Sequence, residues 1–569
     1  MIRPTWVALL ALIFALGYYC LNRAVILHYN RPARGEFVTW SSGPSSWWVA
    51  QNRGAGEQEL PGHTVANGLN GDATITFLDD EYYITPPENW LAGNGWRRSP
   101  GVGRGSLVRR TPGYSLWYLA HRLLLGSNNV FKGLLVSQLL LYILSALAFW
   151  RSLIYLKIRP LLVTMFVLVF TLTPFFNTYT FYTLTESLVV PILIFLMYFL
   201  LRAYYDPNTR SKRNAYLMAG LLWGTALLTR PFTGICLVSV VWVMFYDYVQ
   251  QSHNWLLFIR RGVQVAIVPV LMVGTWTVRN YVATGGDLVI LERYSHPETF
   301  DVFRPSFNTM FSLYMSAGVS QADFYTYAQP LFSDVTKSGV KRPKIVSGLV
   351  NAMPALLRES MGKKRFQDAI EQYQFLLITA YHPYIRKDRP MPVTYGPAEL
   401  AVVDTFKALH HDLLRLHPLL KLTGPLSVVK EAVFNSNTSS VYAFQAPFRN
   451  AFPLINLPRY VFLALHVGTY VTMLYGIIWF AFRKKTKRLG PWPVALAAPS
   501  ILLILFLSVT VMTTEQRYQL VFLAYLVLFA GLVIDELFGN RPMEPLRETR
   551  VAPNGQFAVL KKLNIILPE

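Results

Sequence analysis

The sequence predicts an all-α polytopic membrane protein of about ten transmembrane helices, with surface helices in a first outer loop and a helical second outer loop. Of its 569 residues, 53% are hydrophobic and 14% aromatic. Only 15% are charged, against about 25% in ordinary soluble domains. The apolar residues lie in long runs, as a bilayer core of roughly 30 Å requires. This composition excludes a disordered chain, a coiled coil and a typical cytosolic enzyme.

Each membrane-spanning helix needs roughly 20 mostly apolar residues. The runs that meet this need are 5–22, 132–150, 160–176, 187–203, 214–229, 232–248, 262–282, 459–481, 491–512 and 518–536. The first run ends in Tyr18, Tyr19 and Cys20, whereas a signal peptide ends in small residues at its cleavage site. We therefore expect this run to be a retained helix.

The net charge of +22 is explained by loops on one side of the membrane. These loops carry Arg151, Lys157, Arg159, Arg202, Arg210, Lys212, Arg213, Arg260, Arg261, Arg483, Lys484, Lys485, Lys487, Arg488 and a basic tail. By the positive-inside rule this side is cytoplasmic and holds both termini. No nucleic-acid partner is needed to explain the charge. The two cysteines, Cys20 and Cys236, lie in apolar runs, which excludes a disulfide framework or a zinc cluster.

The predicted division of the chain follows from this alternation. It comprises a first transmembrane helix (1–23), a first outer loop with an acidic motif (24–130), helices 2–7 (131–282), a large helical outer loop (283–457), helices 8–10 (458–537) and a cytoplasmic tail (538–569). In the second outer loop, 347–358 and 402–434 have amphipathic helical patterns. Most extramembrane residues therefore lie outside, where we expect the chemistry.

Three consecutive carboxylates, Asp79, Asp80 and Glu81, stand in the first outer loop. Their mutual repulsion raises the pKa of at least one of them, and such a carboxylate can act as a general base toward a sugar or lipid hydroxyl. A hydrated acidic turn is the other interpretation of the same three residues.

The wider string extends from Leu78-Asp79-Asp80-Glu81-Tyr82-Tyr83 through 89–96 to Arg109-Arg110-Thr111-Pro112-Gly113-Tyr114. It resembles the first-loop signature of the GT-C superfamily of membrane glycosyltransferases, in the branch of protein O-mannosyltransferases and lipid A aminoarabinose transferases. The resemblance implies that Asp79 is the catalytic aspartate, Asp80 its acidic neighbour and Arg110 the motif arginine. Thr111 replaces a proline of the pattern, and Pro86-Pro87 depart from its usual helix. The register between Asp79 and Asp80 is therefore left open.

Further short motifs follow in the order of that superfamily. They are Leu184-Thr185-Glu186-Ser187, Leu228-Thr229-Arg230-Pro231, Arg279-Asn280-Tyr281 and Glu515-Gln516-Arg517-Tyr518. Their charged members stand at outer ends of predicted helices, where long side chains also reach the interface without any further role. Taken with the first loop, they predict a site for the phosphate and sugar of a donor, formed by Tyr82, Arg110, Glu186, Arg230, Arg279 and Arg517.

The resemblance implies an inverting glycosyltransferase in a bacterial inner membrane. It would move a sugar from a polyprenyl-phosphate donor to a hydroxyl of a glycan, lipid or protein acceptor on the outer face. No metal and no cofactor are expected, because arginines would hold the lipid phosphate. One alternative is a GT-C oligosaccharide transferase or ligase that uses a lipid diphosphate. The other is a transporter or flippase of a lipid-linked sugar, which should place ionisable residues at mid-membrane depth.

Overall fold

The computed structural model describes residues 2–29, 63–64, 69–70, 73–75, 79–98, 107–249, 254–293, 296–298, 302–387, 391–434, 441, 452–482, 489–511 and 516–538. Within these ranges nearly all regular structure is helical. The predicted cytoplasmic tail (538–569) lies outside them apart from its first residue, as do Glu515 and the basic loop 483–488.

The helices, numbered along the chain, are α1 (Pro4–Tyr29), α2 (Glu81–Leu91), α3 (Gly113–Leu125), α4 (Val130–Tyr155), α5 (Pro160–Leu172), α6 (Pro174–Asn177), α7 (Glu186–Tyr205), α8 (Thr209–Thr229), α9 (Leu237–Asp247), α10 (Trp255–Thr284), α11 (Pro305–Ser316), α12 (Gln321–Ser338), α13 (Pro343–Ala352), α14 (Ala355–Met361), α15 (Lys363–Leu376), α16 (His382–Arg386), α17 (Pro397–Leu416), α18 (Leu420–Phe434), α19 (Asn456–Phe482), α20 (Trp492–Phe506) and α21 (Gln516–Phe538). Short 3₁₀ segments cover Thr178–Phe181, Pro231–Cys236 and Pro453–Ile455, and π-helical turns cover Leu377–Tyr381 and Leu507–Val511.

The predicted all-α polytopic fold is confirmed. Seven helices in the described ranges are long and apolar enough to cross a membrane: Pro4–Leu27, Val130–Tyr155, Glu186–Tyr205, Trp255–Thr284, Pro453–Phe482, Trp492–Val509 and Leu520–Phe538. The number of candidate spans rises to eight if the bent pair Pro160–Leu172 and Pro174–Phe181 is counted as one span. The other two predicted runs, 214–229 and 232–248, are also largely helical. However, α8 begins with polar and basic residues, and the apolar segment Pro231–Asp247 is shorter.

The bend of 52° between α5 and the segment that follows has a local cause. Pro174 has no amide hydrogen to donate, and Thr173 before it adopts an extended conformation with ψ of 142°. The residue before a proline is pushed out of the helical region by steric contact with the ring. The predicted run 160–176 therefore breaks at this point, and the chain turns into the 3₁₀ segment Thr178–Phe181.

The bundle is centred on α7, which packs against α4, α8 and α21. Around this centre, α1 packs on α4 and α5, α10 packs on α8, and α20 packs on α9 and α21. The helix α21 is buried along most of its length. Helices satisfy all their backbone hydrogen bonds internally, which is why long apolar runs adopt this structure in lipid.

The first outer loop contains the expected surface helices α2 and α3 and also a small sheet that the sequence analysis did not predict. Its strands are β1 (His63–Thr64), β2 (Leu69–Asn70) and β3 (Thr74–Ile75), in antiparallel order with Asn70 opposite Thr74. Ile75 forms a parallel bridge with Tyr182. The hydroxyl of Tyr19 in α1 donates to the carbonyl oxygen of Ala73 over 2.6 Å. The sheet is therefore attached to the end of the helix bundle.

The second outer loop folds around its own apolar core, to which α11–α17 contribute. A buried ion pair ties the start of α11 to α17: Arg304 Nε lies 3.2 Å from Glu399 Oε2, and Glu399 Oε1 accepts the Ser306 amide over 3.0 Å. Both predicted amphipathic stretches are helical, with breaks at Pro354 and at Pro418. The following helix, α18, packs on α19 of the bundle.

The first outer loop packs closely against the bundle at Gly113, which approaches Leu228 and Thr229. A Cβ atom at this position would lie 2.5 Å from Thr229 Oγ1 and 2.7 Å from the carbonyl oxygen of Leu228. Thr111 Oγ1 also donates to the carbonyl oxygen of Thr229 over 3.3 Å. The start of α3 thus touches the end of α8.

We expect Gly113→Ala to lower the free energy of unfolding by about 1–3 kcal/mol, because the added methyl group forces α3 away from α8. Thermal unfolding of the purified protein in detergent checks this. Gly274→Ala is the matched control, since a Cβ there meets no atom within 4 Å. Because Gly274 lies in the interior of α10, its replacement by alanine should raise the free energy of unfolding by about 0.5–1 kcal/mol. Equal unfolding temperatures for wild type and Gly113→Ala would contradict the expectation.

Candidate active site

The two aspartates that precede α2 lie in different surroundings. Asp80 is 2% exposed, and its Oδ2 accepts a hydrogen bond from Asn70 Nδ2 over 3.1 Å. The same Asn70 amide donates to Thr183 Oγ1 over 2.9 Å, and Thr183 lies 3.0 Å from Thr74 Oγ1. This buried network holds Asp80 between the small sheet and the end of the bundle.

Asp79 is the more accessible of the two, with 17% of its side chain exposed. Its Oδ1 lies 3.6 Å from Arg110 Nη2. The two carboxylates are adjacent in sequence, yet Asp80 is buried against the Asn70 amide and Asp79 borders a guanidinium. Only Asp79 is therefore placed where a second molecule can reach it. The side chain of Glu81, the third acidic residue of the motif, lies outside what the structure describes.

Tyr82 is surrounded by guanidinium groups. Arg98, Arg109 and Arg110 lie 4.1, 4.7 and 5.0 Å from the centre of its ring. Arg109 Nη2 also donates to the Tyr82 hydroxyl over 2.9 Å. Three cations at one phenol form a concentrated positive region beside Asp79, which suits a phosphate group.

Sequence reasoning placed Tyr82 and Arg110 in the site but did not single out Arg98 and Arg109. Both stand in the arginine-rich part of the first outer loop, which was the available signal. What distinguishes them is their contact with the Tyr82 ring, which only the tertiary structure shows.

Arg230 and Glu186 form a buried ion pair between the end of α8 and the start of α7. Arg230 Nη2 donates to Glu186 Oε1, and Arg230 Nε donates to Thr185 Oγ1 over 2.5 Å. Their side chains are 9% and 0% exposed. The guanidinium also lies 5.3 Å from the ring centre of Tyr518. Two residues of separate predicted motifs are thus brought into direct contact.

Tyr83 connects this pair to the acidic motif. Burial raises the pKa of the Tyr83 phenol, while the charges of Arg110 and Arg230 oppose that shift and those of Asp79 and Glu186 add to it. The five side chains therefore lie within electrostatic reach of one another. The structure therefore brings the predicted residues Asp79, Arg110, Glu186 and Arg230 close together.

Glu292 belongs to the same site and was missed by sequence reasoning. The helix α10 ends at Gly285 in a left-handed conformation with φ of 70°, and the chain folds back so that the amide of Asn280 donates to the carbonyl oxygen of Val289 over 2.9 Å. This return brings Glu292 Oε2 to 3.2 Å from the amide nitrogen of Thr111. Burial raises the pKa of Glu292, and Arg110, the Thr111 amide and Arg230 oppose the shift.

Arg279 has a different position from the one expected. Its Nη1 donates to the carbonyl oxygen of Leu107 over 2.5 Å, its Nη2 donates to that of Trp96 over 2.8 Å, and it lies over the Trp276 ring at 4.7 Å. These contacts hold the first outer loop against α10. Arg517 lies in the first turn of α21, but its side chain is outside what the structure describes.

Within the described part of the chain, no group of three or more His, Cys, Asp or Glu side chains is arranged to hold a metal ion. What the site does offer is one accessible carboxylate, Asp79, beside several arginines. A carboxylate can accept a proton, and the arginines can stabilise negative charge on a phosphate.

No known protein family and no curated protein matches the chain. Among solved structures, it is similar to the archaeal oligosaccharyltransferase AglB from Archaeoglobus fulgidus in complex with an inhibitory peptide and a dolichol-phosphate. The identity is 12% and the TM-score 0.39, and the match covers 81% of this chain but only 46% of AglB. It is also similar to ArnT from Cupriavidus metallidurans bound to undecaprenyl phosphate, with 12% identity and a TM-score of 0.30 over 82% of this chain and 74% of ArnT.

We expect Arg230→Met to lower the free energy of unfolding by about 3–5 kcal/mol, because it leaves the buried Glu186 carboxylate without its cation. The double variant Arg230→Met/Glu186→Leu should recover most of this loss, since both charges are then removed together. Thermal unfolding of the three proteins in the same detergent is the measurement. A single variant as stable as wild type would show that the ion pair contributes nothing.

Glu292 should make stability depend on pH. Its pKa in the folded protein is above the unfolded value, so its contribution is fully present below the unfolded pKa and is lost as pH rises through the folded pKa. The stability of wild type relative to Glu292→Gln should therefore fall as the pH rises above about 4, the ordinary pKa of a glutamate side chain. Unfolding curves across this range test the sign. Glu359→Gln changes an exposed side chain, so its stability should depend on pH in the same way as that of wild type. If the stability of Glu292→Gln also depended on pH in the same way as that of wild type, the assignment would be contradicted.

Proposed function

We propose that the chain is a glycosyltransferase of the GT-C type that moves one sugar from a polyprenyl-phosphate donor to an acceptor hydroxyl on the outer face of a bacterial inner membrane. The observation on which the proposal depends is the pairing of an accessible carboxylate with arginines at one end of the helix bundle. Asp79 lies 3.6 Å from Arg110, which shares the Tyr82 ring with Arg98 and Arg109. Helix α7, long and apolar enough to span a bilayer, begins beside this site at Glu186.

In the proposed reaction, Asp79 accepts the proton of the acceptor hydroxyl while that oxygen attacks the anomeric carbon of the donor sugar. The bond between the anomeric carbon and the phosphate oxygen breaks, and its electron pair leaves with the lipid phosphate. Attack and departure take place on opposite faces of the sugar, so the configuration inverts. A phosphate is a good leaving group and needs little protonation, so the second carboxylate that glycosidases use as an acid is unnecessary.

The arginines around Tyr82 supply the electrostatic part of this reaction. Negative charge builds up on the departing phosphate, and guanidinium groups placed in advance stabilise it without reorganisation. We assign this task to Arg98, Arg109 and Arg110, because they contact the same ring beside Asp79. Arg230 and Arg517 complete the proposed donor site, and Tyr82 orients the cations.

The remaining site residues are proposed to position others. Asp80 accepts a hydrogen bond from the Asn70 amide and so fixes the start of α2. This position sets the direction of the Asp79 side chain. Glu186 holds Arg230, while Arg279 holds the first outer loop through the carbonyl oxygens of Trp96 and Leu107. The second outer loop, with its separate core, is proposed to select the glycan, lipid or protein acceptor.

The test compares Asp79→Asn with Asp80→Asn in transfer of sugar from a panel of polyprenyl-phosphate sugars to membrane extracts. We expect Asp79→Asn to lose about 10²–10⁴-fold in turnover while it still binds donor, since the general base is removed. Asp80→Asn is the matched control, because an Asn Oδ1 atom can still accept the Asn70 amide. It should keep turnover within about tenfold of wild type, with a loss of stability of about 1–3 kcal/mol.

Other results would point elsewhere. An inactive Asp80→Asn protein beside an active Asp79→Asn protein would move the base by one residue. Activity only with lipid diphosphate donors would favour an oligosaccharide transferase or ligase. If a lipid-linked sugar crossed the vesicle membrane without being consumed, the protein would be a transporter and not an enzyme.

A further inference from the structure

A cavity lies at the end of the bundle opposite Asp79. Its volume is about 370 Å³, and it lies between the last turns of α7 and the first turns of α8. Arg202 lines it and follows Glu186 by sixteen residues on the same helix, which places it about 24 Å away along the helix axis at 1.5 Å per residue. The cavity is therefore separate from the proposed catalytic site.

The lining changes from apolar to basic along the helix axes. Phe199, Ala215 and Met218 line the part nearer the middle of the bundle, and Arg202, Arg210 and Ser211 line the part at its end. This order follows because α7 and α8 are antiparallel neighbours joined by a short connection. Residues about two turns from the connection on each helix therefore lie at a similar depth. We call these six residues the α7–α8 groove.

The cations of the groove are partly held in place. Arg202 Nη2 donates to Ser211 Oγ over 3.2 Å, and its Nε lies 3.8 Å from Asp206. Arg210 is exposed in the first turn of α8. Guanidinium groups bind phosphate oxygens through charge-assisted hydrogen bonds. The basic part of the groove is therefore suited to a phosphate ester.

A phosphate group alone does not cover the apolar part of the groove. Met218 is 38% exposed, and Phe199 is half-buried beside it. A free phosphate ion would leave this apolar surface uncovered, whereas an uncharged lipid would bring no anion to the arginines. A lipid with an anionic phosphodiester and an acyl chain satisfies both parts at once.

We propose that the α7–α8 groove binds an anionic phospholipid from the leaflet on the side opposite the catalytic site. The phosphodiester contacts Arg202 and Arg210, and one acyl chain lies along Phe199, Ala215 and Met218. The distribution of Lys and Arg in the loops predicts that this side is cytoplasmic, where anionic lipids attract basic residues at the membrane surface. The proposal does not depend on the proposed glycosyl transfer.

The test uses the full chain in detergent, depleted of lipid, with phosphatidylglycerol as the probe and native mass spectrometry as the readout. Wild type should bind one phosphatidylglycerol in preference to phosphatidylcholine. Arg202→Gln/Arg210→Gln should weaken phosphatidylglycerol binding at least tenfold, and Arg210→Gln alone should weaken it severalfold. The single variant changes only an exposed side chain and keeps the test valid if the double variant does not fold.

Arg213→Gln is the matched control, because it removes the same charge from an exposed position of α8 that does not line the groove. It should bind phosphatidylglycerol as wild type does. Met218→Glu should weaken binding while every arginine is kept, which tests the apolar part. Equal loss in Arg213→Gln and Arg210→Gln would overturn the proposal. Equal binding of the two lipids, or displacement of phosphatidylglycerol by inorganic phosphate, would do so as well.

Discussion

The arrangement of the candidate site depends on one buried ion pair at the end of the helix bundle. A charge that leaves water for a low-dielectric surrounding must be paired and hydrogen-bonded. Arg230 meets this requirement through Glu186 and Thr185, so the end of α8 is held at the start of α7. The first outer loop then rests on α8 through Gly113 and Thr229. Since Arg110 precedes this contact by three residues, it is fixed beside Asp79.

Within this frame, two neighbouring carboxylates acquire different properties from their surroundings alone. Asp80 accepts a hydrogen bond from the Asn70 amide, and that amide is held in place because it also donates to Thr183, which contacts Thr74. Asp79 borders the Arg110 guanidinium and stays partly exposed. A buried, hydrogen-bonded carboxylate is suited to hold a backbone in position, whereas an accessible one is suited to accept a proton. The small sheet therefore matters because it supplies Asn70.

The pair of helices α7 and α8 has cationic groups at both ends, and the two ends differ in what neutralises the charge. At the end near Asp79, Arg230 is 9% exposed and paired with the buried Glu186. At the other end, a second enclosed group joins Lys212 and Arg261 to Asp247, while Arg202 and Arg210 remain at the surface of the groove. Enclosed pairs hold helices together, whereas arginines at the surface remain accessible to an anion.

The sequence by itself determined the helical membrane fold and several members of the candidate site. Long apolar runs in lipid must form helices, because no water satisfies the backbone there, and Asp79, Arg110, Glu186 and Arg230 stood in recognisable short motifs. The sequence could not reveal the two-residue strands around Asn70, since such short segments have no periodicity to read. It also could not reveal Glu292, whose contact with the first outer loop joins residues far apart in the chain.

The tertiary structure alone decided which arginines share a site. The chain has many arginines in its outer loops, and composition cannot tell one that contacts Tyr82, such as Arg98, from one that binds main-chain carbonyl oxygens, such as Arg279. That difference depends on distances and directions of a few ångströms, because hydrogen bonds and ion pairs act only at close range. Such distances are set when α2, α3, α8 and α10 pack together, and no local pattern in the sequence records them.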